Sequence, residues 1–335
     1  MTETREQNVL RFDRGVFTLS LDLELIWGTV DLFGPDGFSK ACEVERAVVI
    51  DRLLDLFVEY RVLATWFVVG HLMLERCEET EGRKHPEIVR SQQSWKGEDW
   101  FHYDPCGDER SAPNFLGRSL IEKIRACPVE QEIGCHSFSH ALFDEGCLRE
   151  TAESELAACV RAASEMGIEM RSFAFPRNRV GHLDLLRRYG FTVYRGPDPV
   201  RLEGRLPNAL RRIANLLNVL RAAEPPVVLP VRTDEGLWNT PGSMVYFPMH
   251  GLRRYIPNRL RIKRAVKGLR RAARDKRIFH LWFHPTNFAF ETEKMFAGLR
   301  AILDEASKLR ERGELSFLPV GQLVPVNSEF ISAGV

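Results

Sequence analysis

Two carboxylates stand two residues apart in the stretch FTLSLDLELIWG, which spans residues 17–28. Asp22 and Glu24 belong to an alternation of apolar and polar residues, the period-2 pattern of a β-strand with one polar face. Side chains two positions apart on a strand project from the same face and lie about 6–7 Å apart. Strands of a parallel sheet usually have two apolar faces. The polar face therefore predicts a barrel interior or a cleft, with a solvent-facing edge strand as the alternative.

Two histidine pairs occur later in the chain, each with a spacing of four residues. His136 and His140 lie in GCHSFSH, and the second pair lies in HLWFHP. Two imidazoles and one carboxylate form a recurrent catalytic metal set that leaves a position open for water. An H-x-x-x-H pair that binds no metal is the alternative. In the second pair, His284 precedes the proline that ends a strand and suits a catalytic role, whereas His280 is expected to be a hydrogen-bonded core residue.

Arg177 and Asn178 directly follow the strand-like stretch RSFAFP. An arginine at a strand end can orient a carboxylate through two parallel hydrogen bonds. A surface salt bridge is the alternative for Arg177. Asn178 is assigned to substrate binding.

Strand-like and helix-like stretches alternate along the chain, and these elements must position the groups described above. The alternation predicts βα units and a parallel sheet, and a βα barrel carries its chemistry at the carboxyl ends of the strands. The predicted strands are 16–26, 62–70, 132–137, 171–176, 191–196, 278–285 and 315–320, and the predicted helices are 43–60, 118–127, 149–166, 181–189, 206–223, 258–275 and 292–311.

The composition is that of an ordinary globular protein, with 335 residues, 44% hydrophobic and 28% charged, and a net charge of +1. Seven cysteines without a CxxC motif favour free thiols in a reducing compartment. The polar N-terminal stretch does not resemble a signal peptide, and no apolar run reaches the roughly 20 residues of a membrane span. We expect a cytoplasmic protein.

Two segments interrupt the strand–helix alternation. Residues 1–335 are assigned to one domain, with an insertion at 75–117 and a basic segment at 197–277. A loop as long as the insertion is usually functional, and its aromatic and polar side chains are predicted to contact a sugar. A surface loop fixed by its own aromatic residues is the alternative. The predicted substrate-binding residues of the insertion are Trp95, Trp100, His102, Tyr103 and Asp104.

Residues 251–277 contain twelve Lys or Arg and one Asp, so this stretch carries a charge of +11. Ile262, Val266 and Leu269 recur at helical spacing, which predicts one buried face on a basic helix. Such a helix can attract a phosphate-linked sugar or an anionic membrane surface. A solvated helix paired with acidic neighbours is the alternative. No nucleic-acid partner is expected, because no recognition motif accompanies the charge.

Together these stretches resemble the polysaccharide deacetylase family, carbohydrate esterase family 4, also called the NodB-homology domain. LSLDLE resembles its first motif, HSFSH its histidine motif H-[ST]-x-x-H, RSFAFPRN its arginine–proline motif and LWFHP its last histidine motif. The motifs occur in the family's order and span nearly the whole chain. The resemblance implies a distorted (β/α)7 barrel of class α/β, a single domain with loop insertions.

The resemblance also implies roles for individual residues. Asp22 would be the general base and His284 the general acid. Glu24, His136 and His140 would bind one divalent metal ion, in an Asp-x-Glu variant of the first motif. The arginine motif departs from the family pattern, and Arg177 is assigned the role of holding the base. Zinc is the expected ion, although Co, Ni, Mn or Fe suits the same ligands.

The expected function is therefore metal-dependent removal of an N-acyl group, acetyl or formyl, from an amino sugar in surface-glycan or lipopolysaccharide precursor biosynthesis. The substrate would be nucleotide-linked or lipid-linked. One alternative keeps the fold and hydrolyses a cyclic amide or imide. The other is a non-catalytic glycan-binding or membrane-associated protein on a retained barrel.

Overall fold

A ten-stranded sheet forms the centre of the molecule in the computed structural model, which describes residues 8–90, 99–199 and 218–325. The strands described, including four short ones outside this sheet, are β1 (Gly15–Leu23), β2 (Ala64–Val68), β3 (Arg76–Cys77), β4 (Glu79–Thr80), β5 (Arg83–Lys84), β6 (Gly107–Asp108), β7 (Glu132–Cys135), β8 (Ser172–Ala174), β9 (Val193–Arg195), β10 (Val231–Arg232), β11 (Trp238–Asn239), β12 (Met244–Val245), β13 (Ile278–Phe283) and β14 (Leu315–Phe317).

The sheet has the order β10-β11-β9-β8-β7-β2-β1-β13-β12, and β14 also pairs with β1. Every described pairing in it is parallel except that of β10 with β11. This is the curled sheet of a distorted α/β barrel in a single domain, as the sequence predicted. The carboxyl ends of the parallel strands therefore lie at one rim.

Helices connect the strands and cover the outside of the sheet. They are α1 (Val30–Phe33), α2 (Ser39–Val44), a π-helical turn (Glu45–Val49), α3 (Ile50–Tyr60), α4 (Arg118–Arg125), α5 (Arg149–Glu165), α6 (Leu183–Arg188), α7 (Asn258–Asp275) and α8 (Thr292–Glu311), with 3-10 turns at Gly70–Met73, Trp100–Tyr103, Pro176–Asn178, Gly251–Tyr255, Pro285–Ala289 and Val320–Gln322.

These bounds confirm the predicted strands and six of the seven predicted helices to within a few residues. The seventh, 206–223, lies largely outside the described residues. Within the described ranges, no helix combines the length and the apolarity needed to cross a membrane.

Strand β1 lies inside the sheet, between β2 and β13, and all nine of its residues are buried. Its polar face, which includes Thr18 and Ser20, is as inaccessible as its apolar face. Ser20 hydrogen-bonds to His280 at 2.8 Å. The polar face therefore lines the barrel interior, the edge-strand alternative is wrong, and His280 is the hydrogen-bonded core residue that was expected.

The basic helix α7 is buried along one stripe that includes Ala265, Leu269 and Ala272. Ile262 and Val266, predicted for that stripe, are only half-buried and lie at its border. Several of its cations have partners within the described protein. Arg261 donates to two backbone carbonyls, and Arg270 pairs with Glu305, Arg271 with Glu224 and Asp275, and Lys267 with the carbonyl of Ala222.

The insertion carries its own small structure. Two antiparallel strand pairs, β3 with β6 and β4 with β5, lie in it together with the 3-10 turn Trp100–Tyr103. Its side chains enclose a buried polar cluster, described below, which the sequence patterns did not reveal.

Candidate active site

Asp22 lies near the end of β1 and is held by an arginine from another strand end. Arg195, the last residue of β9, donates from Nη1 to Oδ1 and from Nη2 to Oδ2 of Asp22, each at 2.6 Å. Arg195 is 1% exposed and stacks over the Trp282 ring at 4.4 Å. Burial raises the pKa of Asp22, but the charges of Arg195, His136 and His284 outweigh it and hold that pKa below its usual value. Asp22 is therefore ionised at neutral pH.

Glu24 directly follows β1 and projects toward the histidine pair. Its Oε1 lies 2.9 Å from Nε2 of His136 and 3.2 Å from Nε2 of His140. Gly28 leaves the space that this carboxylate needs, because a Cβ at that position would lie 1.7 Å from Glu24 Oε2. Burial raises the pKa of Glu24, but the charges of His284 and His140 and the histidine hydrogen bonds hold it well below its usual value.

The two predicted ligand histidines lie on a tight loop after β7. Ser137 and His140 both have positive φ, at 55° and 62°, and such backbone strain often occurs at functional sites. Glu155 of α5 fixes this loop by hydrogen bonds. Its Oε2 accepts from the backbone N–H groups of Phe138 at 2.8 Å and Ser139 at 2.9 Å, and its Oε1 accepts from the Ser139 hydroxyl.

Glu24, His136 and His140, hereafter the open site, are arranged so that they could hold a metal ion. Nδ1 of His136 lies 2.7 Å from the carbonyl oxygen of Ala174. A carbonyl only accepts, so Nδ1 carries a proton, and in the neutral form of the ring the lone pair of Nε2 points at the Glu24 carboxylate. A cation between these atoms removes the conflict between two acceptors. A backbone carbonyl that fixes the tautomer is also the usual support of a metal-bound histidine, and the ligand atoms all lie within 4.8 Å of one another.

His284 follows β13 and faces the same carboxylates. Its Nε2 lies 3.3 Å from Glu24 Oε1 and 3.8 Å from Asp22 Oδ2. Burial lowers the pKa of His284, but the two carboxylates outweigh it and raise that pKa to about 9. The imidazole therefore carries a proton at neutral pH and can donate it.

These groups meet in one cleft at the rim of the barrel, with a volume of about 140 Å³. Its wall combines acidic, basic and aromatic side chains from several strand ends. The lining residues are Asp22, Glu24, Gly28, His140, Phe175, Arg177, Asn178, Arg195, Trp282 and His284.

The prediction that Arg177 holds the base is wrong. Both oxygens of Asp22 are taken by Arg195, and Arg177 instead donates to Asp31 of α1, at 2.7 and 3.0 Å. Arg177 and Asn178 have φ of 52° and 54° in the turn after β8 and both line the cleft. Their position fits contact with a substrate, and that role stays a prediction.

The structure separates the predicted substrate residues of the insertion. Trp100 lies beside the histidine loop, where its Nε1 donates to Ser139 Oγ at 2.6 Å. His102 is exposed and Tyr103 half-buried, with their rings 5.2 Å apart. Asp104 is 1% exposed and pairs with buried histidines, so its assignment to a sugar hydroxyl is wrong. Trp95 lies outside the described residues.

Sequence reasoning missed Arg195, Glu155 and Trp282. Arg195 ends a predicted strand, FTVYRG, and the strand-end rule that selected the other groups would have selected it. Trp282 was visible beside the last histidine motif, and its indole donates to Asp198 at 2.9 Å. Glu155 had no comparable signal, because an acidic residue inside a helix is normally exposed.

Glu45 is a further buried carboxyl group close to the active site. It begins the π-helical turn and accepts a hydrogen bond from Thr286, two residues after His284. Burial raises the pKa of Glu45 to about 8, although the Thr286 hydrogen bond lowers it. The side chain is therefore largely protonated at neutral pH. π-Helical turns often occur at functional sites.

Solved structures with this fold include candidate polysaccharide deacetylases. One from Mycobacterium smegmatis has a TM-score of 0.62 and 14% identity, covering 94% of this chain and 92% of that chain. One from Pseudomonas aeruginosa PAO1 has a TM-score of 0.55 and 11% identity, covering 92% and 89%. PuuE allantoinase has a TM-score of 0.56 and 10% identity, covering 92% and 88%. The fold of this chain is thus that of the polysaccharide deacetylases.

At these identities the likeness establishes the fold alone. No protein-family model and no curated protein matches the chain. Its function therefore has to be argued from the site.

Proposed function

We propose that this protein is a metal-dependent hydrolase that removes an acetyl or formyl group from the nitrogen of an amino sugar. One observation carries the proposal. The open site, an ionised carboxylate held by Arg195 and a protonated histidine converge on one cleft at the carboxyl ends of parallel strands. Metal-dependent amide hydrolysis combines a Lewis acid, a general base and a general acid in this proximity.

Each side chain has a distinct task in this proposal. A divalent ion at the open site would lower the pKa of a water molecule and polarise the acyl carbonyl. Asp22 accepts the proton of the attacking water at a carboxylate oxygen, and Arg195 keeps that carboxylate ionised and correctly oriented. His284 donates the proton on Nε2 to the departing nitrogen, which is a poor leaving group as an anion.

Zinc is the ion we propose, because two imidazoles and a carboxylate with one open position are typical of catalytic zinc. Cobalt, nickel, manganese and iron suit the same donors. Metal analysis of the purified protein, followed by reconstitution of the chelated protein with each ion, identifies the one that supports turnover.

A substrate screen tests the function. Metal-loaded protein is incubated with N-acetyl and N-formyl amino sugars in free, nucleotide-linked and lipid-diphosphate-linked forms, and release of acetate or formate is measured together with the mass of the sugar product. We expect release of the acid with at least one linked sugar and none from the His136→Ala variant. Absence of acid from every member would contradict the proposal.

The cyclic-amide alternative has the same requirements for base, acid and metal, and PuuE allantoinase has the same fold. Its signature is addition of one water to the substrate without loss of a fragment. A parallel screen of cyclic amides, imides and ureides distinguishes it by mass. A non-catalytic glycan-binding protein would instead bind its sugar unchanged and hold no metal ion.

We further propose that the substrate is linked to lipid, that it belongs to surface-glycan or lipopolysaccharide precursor synthesis, and that the protein works at the inner face of the cytoplasmic membrane. Large exposed apolar side chains support this. Phe33 of α1 and Leu252 and Tyr255 of the turn before α7 are 58%, 86% and 68% exposed. Arg253 and Arg254 lie between the last two, so the turn offers both apolar and cationic groups to an anionic bilayer.

Sedimentation with vesicles tests the membrane contact. We expect binding to vesicles that contain anionic lipid, weaker binding to zwitterionic vesicles, and loss of binding in a Leu252→Ser/Tyr255→Ser variant. The matched control is Leu220→Ser, a 45% exposed leucine outside this turn. Equal binding of the wild type and the double variant would overturn the membrane contact without affecting the hydrolase proposal.

A further inference from the structure

Four potential metal ligands meet in the insertion and its base, apart from the open site. His71 Nε2, Cys77 Sγ, His85 Nε2 and Asp104 Oδ2 all lie within 4.8 Å of one another, and all four residues are buried. Five of the six distances are 3.0–3.3 Å, and tetrahedral ligands of zinc are about 3.3–3.7 Å apart. This group is hereafter the insertion cluster.

The hydrogen-bond partners of His71 favour a cation in this cluster. Its Nδ1 lies 2.9 Å from the carbonyl oxygen of Phe115, an atom that only accepts, so Nδ1 carries a proton. In a neutral His71 the lone pair of Nε2 then points into the cluster, 3.0 Å from Asp104 Oδ2 and 3.0 Å from His85 Nε2. Without a cation, the protein must bury an imidazolium, protonate Asp104 or place two acceptors in contact, all of which are costly.

His85 repeats this arrangement. Its Nδ1 faces Glu87 Oε1 at 3.4 Å, while its Nε2 faces Cys77 Sγ at 3.1 Å and Asp104 Oδ2 at 3.3 Å. Histidines that bind metal through one ring nitrogen generally donate from the other to a carboxylate or a backbone carbonyl. In the cluster, the carbonyl of Phe115 supports His71 and the carboxylate of Glu87 supports His85.

We propose that the insertion cluster is a structural zinc site with four protein ligands, namely His71, Cys77, His85 and Asp104. Thiolate, imidazole and carboxylate donors together favour zinc over magnesium or calcium. Four protein ligands leave no open position for water, so the site is structural and takes no part in hydrolysis. The proposal does not depend on the proposed function of the open site.

The location of the cluster explains what this metal stabilises. Phe138, which lies between the two histidines of the open site, packs against the rings of His71 at 5.6 Å and His85 at 5.3 Å between centroids. The backbone N–H of His71 also donates to the carbonyl of Phe138 at 2.8 Å. Zinc at the cluster would therefore fix the insertion against the back of the loop that carries His136 and His140.

Cobalt substitution of the full-length protein tests this site independently of activity. Thiolate-bound cobalt(II) gives an intense near-ultraviolet charge-transfer band that nitrogen and oxygen ligands do not give. The open site contains no cysteine, so the band reports the insertion cluster alone. We expect the band in the wild type and in His136→Ala, and its loss in Cys77→Ser.

The matched control is Cys106→Ser. Cys106 Sγ lies 2.8 Å from Cys77 Sγ but is not one of the four proposed ligands, so this variant should keep the band. Zinc content gives a second measurement that requires no cluster variant to fold: His136→Ala purified without added metal should retain one tightly bound zinc per chain.

Three outcomes would overturn the proposal. One is a cobalt-loaded His136→Ala protein without a thiolate band, and another is no zinc in that variant. The third is a disulfide between Cys77 and Cys106, detected by mass spectrometry in protein prepared under reducing conditions. If only the open site lacks metal, the structural zinc stands and the hydrolase proposal fails, so the two results are distinguishable.

Discussion

The open site and the insertion cluster use similar ligands in different surroundings. The open site offers three ligands and borders a cleft, and the side chain of neighbouring His284 is 32% exposed. The insertion cluster offers four ligands, none of them more than 6% exposed. Catalytic zinc keeps a position free for water, whereas structural zinc fills every position with protein. The open-site ligands are themselves only 1–7% exposed. The number of ligands and the adjoining cleft, rather than ligand type or ligand burial, therefore separate the two proposed roles.

The largest expected effect is a difference between two histidine variants, one in the open site and one in the insertion cluster. His136→Ala should reduce hydrolysis to background, because an open-site ligand is lost, while the melting temperature stays near that of the wild type. His71→Ala should lower the melting temperature strongly, because it removes a ligand from the buried site. Turnover, bound metal and thermal unfolding measured on both variants check this. Identical profiles would remove the distinction between the sites.

The next effect separates the acid from the ligands of the open site. His284→Gln should lower kcat by about 10²–10⁴-fold, the usual contribution of a general acid, and leave the metal content of the protein unchanged. Stopped assays with the substrate found in the screen, combined with metal analysis, provide the measurement. Loss of metal in this variant would make His284 a ligand instead.

A third prediction compares the two arginines of the cleft. Arg195→Met should lower the free energy of unfolding by about 3–5 kcal/mol, because Asp22 is then buried without its partner. Arg177→Met, which breaks a partly exposed pair with Asp31, should cost less than about 1 kcal/mol. Urea unfolding of both variants measures the difference. Similar costs would show that Arg195 does not carry the buried charge pair described here.

The last effect depends on pH and concerns Glu45, whose side chain accepts a hydrogen bond from Thr286. Its pKa of about 8 in the folded protein exceeds its ordinary value of 4.5. The stability that it contributes is fully present below about pH 4.5 and is lost as the pH rises through 8. Glu45→Gln should flatten this decline by up to about 1.4 kcal/mol per pH unit. Urea unfolding of both proteins from pH 5 to 8.5 measures it, and equal slopes would contradict a buried, protonated Glu45.

The sequence predicted the open site because each of its ligands follows a strand and lies in a motif that resembles the polysaccharide deacetylase family. Alternation places Asp22 and Glu24 on one face, and a parallel sheet brings the ends of its strands to one rim. Arg177 was predicted to hold the base because it follows a proline at a strand end, whereas Arg195, at the end of another strand, was missed. Two arginines lie at strand ends, and the side-chain directions in the assembled barrel decide which of them reaches Asp22. The sequence pattern does not specify these directions.

The insertion cluster was not predicted because its members belong to no regular element pattern and to no recognised motif. His71 follows β2, and Asp104 lies thirty-three positions later in the chain. Their meeting depends on the short strand pairs of the insertion, whose strands of two residues leave no periodic signal. The sequence analysis predicted free thiols for all seven cysteines. A single cysteine ligand such as Cys77, which lies in no CxxC motif, cannot be recognised as a metal ligand from the sequence.

The bidentate pair between Arg195 and Asp22 decides which variant suits the capture of an intact substrate in the cleft. Changing the general base to its amide is the common way to capture an intact substrate. Here that change would leave the guanidinium without a counter-ion deep in the barrel, so the captured pocket would differ from the working one. His284→Gln, made at the solvent-facing rim, is the better variant for crystallography with bound sugar.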